Sequence, residues 1–233
     1  MSLKKNIVAS YASQIYITAV GILTLPLHIK YMGAEAYGLV GFFAMLQAWF
    51  NLLDMGLIPA ISREAARYKG GATDLHSLRQ LLRTLEGLFF AIAIIGSLGI
   101  ILTSNYLANE WFDAKTLSTE EIEKSIFIMS IIIAFRWVSG LYRGMISGLE
   151  HFVWLSWVNA IIATIRFILV IPFLLHINNS PLGFFIYQLL VAFIEFSNAI
   201  RCFYDEKSFL RGNLFSTANE DGKLSKKSLS RNM

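Results

Sequence analysis

The sequence predicts an all-α, polytopic membrane protein built from six transmembrane helices. Hydrophobic residues make up 55% of the 233 residues and charged residues only 15%, with a mean hydropathy of +0.55. Soluble domains of this length rarely have such a composition. The apolar residues form six stretches, each long enough to cross a bilayer as a helix, which takes roughly 20 residues. The predicted spans are residues 7–29, 37–60, 84–103, 126–149, 152–175 and 182–202, with boundaries that are approximate.

The first span, residues 7–29, follows two basic residues, Lys4 and Lys5. A secretory signal also has an apolar stretch after basic residues. However, its apolar part is too long for a signal, and no small-x-small cleavage site ends it. We therefore expect an uncleaved first transmembrane helix.

The second span, residues 37–60, carries Gln47, Asn51 and Asp54 on one helical face. A carboxylate inside a span can carry a proton or bind a cation, so Asp54 is a candidate ion-coupling residue. Asp54 also lies just before Gly56, and it can instead cap a break in the helix at this point. The sequence leaves both roles open.

Residues 62–83 form the main polar loop between the second and third spans. Gly70 and Gly71 predict a turn between two amphipathic helical arms in this loop. The third span, residues 84–103, carries Glu86 one helical turn after Arg83, so we expect these two side chains to pair.

Residues 104–124 form a short acidic segment before the fourth span. Ser118 and Glu121 have the spacing of a capping box, which favours a helix start over a catalytic or metal role for these acids. The single cysteine, Cys202, and the four scattered histidines lack the spacing of metal ligands. We therefore expect no metal site and no cofactor.

Three arginines lie inside the fourth and fifth spans. An arginine at a helix centre costs roughly 3 kcal/mol on insertion scales, so such a residue usually faces a bundle interior or a wet cavity. Arg136 and Arg143 are two helical turns apart and share a face, and Asn159 and Arg166 repeat that spacing on the next span. These four residues are candidates for binding an anionic headgroup. Arg143 also lies near a helix end, from which its side chain can extend to lipid headgroups.

Glycines at positions 140, 144 and 148 of the fourth span form a doubled G-x-x-x-G pattern. This spacing lets helix backbones approach closely in a membrane. The sequence predicts either the fifth span or a partner lobe as the close neighbour.

The sixth span contains a second intramembrane carboxylate, Glu195, on the same face as Gln188. Glu195 is a candidate for ion coupling, and it is also a candidate counter-ion for one of the arginines.

The distribution of basic residues predicts the orientation. With both termini inside, fifteen of the twenty Lys and Arg residues lie in inner segments and three in outer loops, a bias that places both termini in the cytoplasm. The net charge of +4 thus follows membrane topology, and we expect no nucleic-acid partner. Residues 1–203 form the six-helix lobe, and residues 204–233 are predicted to be a disordered, polar cytoplasmic tail.

Four short segments carry a resemblance to a known family. They are Gly33–Leu39 (GAEAYGL), Leu53–Leu57 (LDMGL), Ser62–Arg67 (SREAAR) and Gly148–Val153 (GLEHFV). The first three stand in order around one span and are the more specific. Over about residues 1–205 the chain resembles the polysaccharide-export branch of the multidrug/oligosaccharidyl-lipid/polysaccharide superfamily.

The resemblance implies a transporter and not an enzyme. It implies a flippase that moves undecaprenyl-pyrophosphate-linked oligosaccharide repeat units, such as those of O-antigen in lipopolysaccharide biosynthesis, from the cytoplasmic to the periplasmic leaflet of the bacterial inner membrane. The implied partners are the lipid bilayer and the polyprenyl-pyrophosphate-linked glycan.

The number of spans departs from that family, whose members have twelve or more spans in two six-helix lobes around a cavity. This sequence resembles the first lobe only. We therefore expect either a truncated product or a second lobe supplied by another copy or by a separate chain.

Two other functions are consistent with part of the pattern. A drug or cation antiporter of the same superfamily would favour a cavity dominated by carboxylates and aromatic rings, whereas arginines here match or outnumber acids within the spans. A membrane-embedded glycan polymerase or glycosyltransferase usually has a sizeable outer loop with an acid pair for metal and sugar phosphate. The longest outer segment here is residues 104–124.

Overall fold

Six helices of the chain are long and apolar enough to cross a membrane, which confirms the predicted all-α membrane class. A computed structural model describes residues 3–112, 117–177 and 180–203, and the regular elements in these ranges are all helical. The predicted tail, residues 204–233, lies outside the described residues. The candidate spans are Asn6–Met32, Ala34–Leu53, Leu75–Glu110, Thr119–Gly148, Phe152–His176 and Pro181–Phe203.

The helices are numbered here in chain order. They are α1 (Leu3–Met32), α2 (Ala34–Leu53), α3 (Leu57–Lys69), α4 (Leu75–Tyr106), α5 (Thr119–Gly148), α6 (Phe152–Ala163), α7 (Val170–His176) and α8 (Pro181–Phe203). A π-helical turn, Leu107–Trp111, extends α4, and a second, Thr164–Ile168, joins α6 to α7 within the fifth span.

Helix α5 is the centre of the lobe. Of its most apolar stretch 61% is buried, against 17–44% in the other five spans, and it packs against α2, α3, α4 and α6. Trp137 of α5 stacks on Phe89 of α4 with ring centroids 4.7 Å apart. The same indole meets Phe50 of α2 edge-on at 5.9 Å. The residues of α5 are therefore held in place from several sides.

The second span ends at Leu53, so the predicted extension to residue 60 is wrong. The backbone turns at Met55 and Gly56, whose φ angles of 44° and 88° cannot continue a right-handed helix. Oδ1 of Asp54 accepts the backbone N–H of Ile58 at 2.9 Å, in the first turn of α3. Asp54 thus has the capping role that the sequence offers as one alternative, while its coupling role remains a prediction.

The glycines of α5 face α3, which corrects the predicted neighbour. A Cβ at Gly148 would collide with the carbonyl oxygen of Ser62, and one at Gly144 would meet Ile58 closer than 3.0 Å. The close approach is therefore made by the amphipathic helix that follows the break, instead of by the fifth span or a partner lobe. The sequence pattern shows that a backbone comes close but does not identify which one.

Lys69, the last residue of α3, attaches that helix to the turn between α5 and α6. Its ammonium donates to the carbonyl oxygen of Leu149 at 2.8 Å and to the carboxylate of Glu150 at 2.9 Å. The hydrogen bond and the positive charge of Lys69 hold the pKa of the Glu150 carboxyl below its usual value. Helix α3 is thus held by close packing along its length and by an ion pair at its end.

The two predicted helical arms of the polar loop are present. The first is α3, and after a turn at Gly71 (φ 75°) the second continues without a break into the third span, which makes α4 longer than predicted. Arg83 Nη1 lies 3.8 Å from Glu86 Oε2, as predicted. The predicted cap of α5 is also confirmed, since Ser118 Oγ accepts the backbone N–H of Glu121 at 3.2 Å.

Candidate functional site

Helix α8 lies against α5 and brings the sixth span's carboxylate to the arginines. Phe196 packs on Phe135 with ring centroids 5.2 Å apart, and Phe203 packs on Tyr142 at 5.6 Å. Glu195 stands on α8 beside the first of these contacts. It is therefore directed toward the α5 face that carries Arg136 and Arg143, and toward Arg166 in the π turn of the fifth span.

Glu195 is surrounded by all three predicted arginines. Its Oε1 accepts a hydrogen bond from Nη1 of Arg143, and its Oε2 accepts one from Nη2 of Arg166 at 2.7 Å. Nε of Arg136 lies 4.0 Å from the same Oε2. The Glu195 side chain is only 3% exposed. The prediction that Glu195 is the counter-ion of an arginine is therefore confirmed, and it extends to three arginines instead of one.

The guanidinium of Arg143 is turned to Glu195, whereas the alternative interpretation directed it to lipid headgroups. Arg136 is the most buried of the three arginines, with a side chain 11% exposed. Its Nη2 donates to Oε1 of Gln188 at 3.0 Å, and its guanidinium lies 5.3 Å from the centre of the Phe43 ring. A neutral amide and an aromatic face thus partly replace water around this charge.

The cluster has an excess of positive charge. Three guanidinium groups face one carboxylate, which leaves a formal charge of +2 within the described ion pairs. Nε of Arg136 and Nε of Arg166 are both buried and have no hydrogen-bond acceptor among the described residues. Buried charge without a partner is costly, so this cluster favours an anion over a cation as a neighbour.

A cavity of about 160 Å³ opens beside these charges. Its lining combines polar and charged side chains from four of the spans. The lining residues are Gln47, Phe50, Asn51, Ile133, Arg136, Trp137, Arg143, Arg166 and Glu195. Gln47 and Asn51 belong to the site although the sequence did not assign them to it. Their shared face with Asp54 on the second span was the available signal.

Two predicted site residues lie elsewhere. Asn159 is half-buried on α6 and is not among the residues that line the cavity. Arg166 lies in the π turn Thr164–Ile168, where the α-helical period on which the seven-residue spacing depends no longer holds. Asp54 is also outside the cavity lining, and its carboxylate is bonded to the Ile58 backbone.

A second, larger groove of about 460 Å³ lies between α1 and α6. Its polar atoms bond one another, since Ser13 Oγ donates to the carbonyl oxygen of Ser156 at 3.0 Å and the hydroxyls of Tyr16 and Thr164 are 2.7 Å apart. The described residues that line this groove carry no charge. This groove is suited to apolar ligands, whereas the arginine cavity is the candidate site for a charged ligand.

A family model described as polysaccharide biosynthesis protein matches residues 3–233. The chain belongs to the polysaccharide biosynthesis protein family. This confirms the resemblance seen in the sequence. No curated protein and no solved structure matches the chain.

Members of the polysaccharide biosynthesis family are generally transporters instead of enzymes. In this polysaccharide biosynthesis protein, four of the six candidate membrane-spanning helices line a small, positively charged cavity. Its chemistry suits binding: guanidinium groups supply fixed hydrogen-bond donors, and Gln47 and Asn51 supply neutral amides at the same cavity.

Proposed function

We propose that this chain is a lobe of a flippase for undecaprenyl-pyrophosphate-linked oligosaccharides, such as O-antigen repeat units. It would act in the bacterial inner membrane, with both termini cytoplasmic, and move its substrate from the cytoplasmic to the periplasmic leaflet. The observation that carries this proposal is the buried cluster in which Arg136, Arg143 and Arg166 surround a single carboxylate.

A pyrophosphate group matches the charge and donor pattern of the cluster. Its anionic oxygens accept the paired N–H donors of arginine, which bind phosphate with two parallel hydrogen bonds. The cavity of about 160 Å³ is small, so it suits a phosphate-type headgroup and not an oligosaccharide. The sugars would therefore lie outside the cavity, beyond the exposed Asn51.

Glu195 gives the proposal a route to ion coupling. Its two oxygens occupy donors of Arg143 and Arg166 that an incoming phosphate would compete for. A Glu195 carboxylate displaced in this way becomes an unpaired buried acid, which favours uptake of a proton. Asp54 is the second candidate for coupling, and the second lobe, from another copy or a separate chain, would supply the facing wall of the cavity.

The test is binding of undecaprenyl pyrophosphate to the purified protein in lipid nanodiscs. Truncating an arginine that binds phosphate removes a charge-assisted hydrogen bond worth about 1.5–3 kcal/mol. Arg136→Ala and Arg166→Ala should therefore weaken binding by about tenfold to hundredfold. Arg83→Ala is the matched control, because the Arg83 side chain is 73% exposed and does not line the cavity.

Two further measurements separate the proposal from its rivals. Protein abundance in the membrane must remain near that of the wild type in the arginine variants, or the arginines serve the fold instead of a ligand. A cationic dye offered in place of the lipid should bind weakly, since it would meet the excess positive charge. Tight dye binding that Arg166→Ala leaves unchanged would favour a drug or cation antiporter.

A further inference from the structure

The π turn Thr164–Ile168 carries Arg166, and side chains from other helices bond three of its consecutive carbonyl oxygens. The hydroxyl of Tyr187 donates to the carbonyl oxygen of Ile165 at 2.8 Å. Nε2 of Gln188 donates to that of Arg166 at 3.1 Å, and Nε2 of His28 donates to that of Phe167 at 3.2 Å. A widened turn is thus held at three successive positions from α1 and α8.

Two of these three donors are almost fully buried. Gln188 is 3% exposed and His28 is 5% exposed. The ring of His28 lies edge-on to Phe184, with centroids 6.0 Å apart, and the ring of Tyr187 packs on Phe173 at 5.1 Å. Ring packing therefore holds His28 and Tyr187 in position for these hydrogen bonds, and burial restricts Gln188. Inside a span no water is at hand to replace a lost donor.

Gln188 also connects the turn to a second arginine. Its Nε2 bonds the backbone of Arg166, while its Oε1 accepts from Nη2 of Arg136 at 3.0 Å. A single amide thus connects Arg136 and Arg166, the two arginines of the cavity whose buried Nε atoms have no hydrogen-bond acceptor among the described residues. The geometry of the anion site depends on this amide as well as on the charges themselves.

We propose that His28, Tyr187 and Gln188 are positioning residues that hold the π turn and thereby direct the Arg166 guanidinium at Glu195 and at the bound anion. A π turn contains one residue more than an α turn, so its relaxation to α geometry rotates neighbouring side chains by about 100°. Such a rotation removes Arg166 from its 2.7 Å contact with Glu195. The anion part of this inference rests on the proposed function, whereas the positioning of Arg166 does not.

The chain offers a matched pair of variants for the test. Tyr187→Phe removes a hydroxyl that bonds a backbone carbonyl of the π turn. Tyr16→Phe removes a hydroxyl that, among the described residues, bonds the side chain of Thr164 at the start of the same turn and no backbone carbonyl. Both keep their aromatic rings, so the difference between them isolates the carbonyl contact.

The first measurement does not need a ligand. Protein labelled with ¹⁵N-arginine in nanodiscs gives an Nε–Hε resonance for Arg166, which Arg166→Lys assigns by its loss. Tyr187→Phe and His28→Met should shift or broaden that resonance, and Tyr16→Phe should leave it unchanged. His28→Gln keeps an N–H donor and should restore it. An Arg166 resonance that is the same in all these variants overturns the proposal.

The second measurement is a double-mutant cycle with undecaprenyl pyrophosphate as the probe. Tyr187→Phe should weaken binding by about tenfold in the wild-type background, a typical effect of one buried hydrogen bond. In an Arg166→Ala background the same change should have no further effect, because the residue acts through Arg166. Equal losses in both backgrounds would mean that Tyr187 is merely structural and would overturn the proposal.

The two proposals fail in different ways. The Arg166 resonance can move as expected while the wild-type protein does not bind the probe. That result would support the positioning role and contradict the flippase function. If the probe binds and depends on Arg166 while Tyr187→Phe changes neither signal nor affinity, the function stands and the positioning role falls.

Discussion

Nη2 of Arg166 lies 2.7 Å from Oε2 of Glu195, although the two residues belong to different spans. The same carboxylate also bonds Arg143, so one acid holds together α5, α8 and the π turn of the fifth span. The Glu195 carboxylate thereby brings three intramembrane arginines together in one site.

Glu195→Gln should destabilise the ligand-free protein and strengthen its binding of anions. The substitution raises the formal charge of the cluster from +2 to +3 and leaves the guanidinium groups without a counter-ion. Removing one partner of a buried ion pair typically costs about 3–5 kcal/mol. Thermal unfolding with and without inorganic pyrophosphate measures both effects, because pyrophosphate should restore much of the lost stability.

The control for this variant is Glu120→Gln, which breaks an exposed pair with Lys124 at 2.6 Å. Exposed pairs contribute little, so its unfolding temperature should match that of the wild type. A Glu195→Gln protein as stable as the control, and indifferent to pyrophosphate, would contradict the ion cluster.

Asp54→Ala should destabilise the protein by about 1 kcal/mol, the usual effect of losing a helix cap. Asp54→Asn keeps an oxygen that can accept the Ile58 N–H and should leave stability unchanged. Thermal unfolding of both variants tests the capping role, and a strongly destabilised Asp54→Asn protein would disprove it. If transport by the stable Asp54→Asn protein no longer depends on an ion gradient, Asp54 also has a role in ion coupling.

Gly148→Ala should destabilise the packing of α3 on α5 by about 1–3 kcal/mol, as overpacking usually does. The added Cβ collides with the backbone oxygen of Ser62, which cannot move unless α3 moves. Gly140→Ala meets only Cδ1 of Ile58 at 3.0 Å, the flexible end of a side chain, and should cost less. Thermal unfolding compares the two, and equal losses would argue against this packing of α3.

The topology predicts that Ser118 lies on the outer side of the membrane and Glu150 on the cytoplasmic side. A single cysteine at either position, in a Cys202→Ala background, reports its side by reaction with a membrane-impermeant thiol reagent. Ser118→Cys should be labelled from the outer side of intact cells and Glu150→Cys only after permeabilisation. The reverse pattern would invert the orientation derived from the basic residues.

Sequence patterns were enough to identify the six spans, though not all of their bounds, and the charged residues of the candidate site. The length and apolarity of six stretches determine the membrane class, because a bilayer demands about 20 apolar residues in a row. Arg136, Arg143, Arg166 and Glu195 could be selected from the sequence alone, since a charge within a span is too costly to be incidental. The cap at Ser118 follows from a rule that involves only neighbouring residues.

The tertiary structure decided which of these groups meet. Glu195 pairs with arginines 29 and 52 residues away in the chain, and no local rule relates positions on different spans. The glycines of α5 receive α3 because a break at Met55 and Gly56 turns that helix back along α5, a path that the spacing of the glycines does not specify. Asn159 does not line the cavity, whereas Gln47 and Asn51 do, because the packing of α2 and α6 against α5 decides which face of each helix points inward.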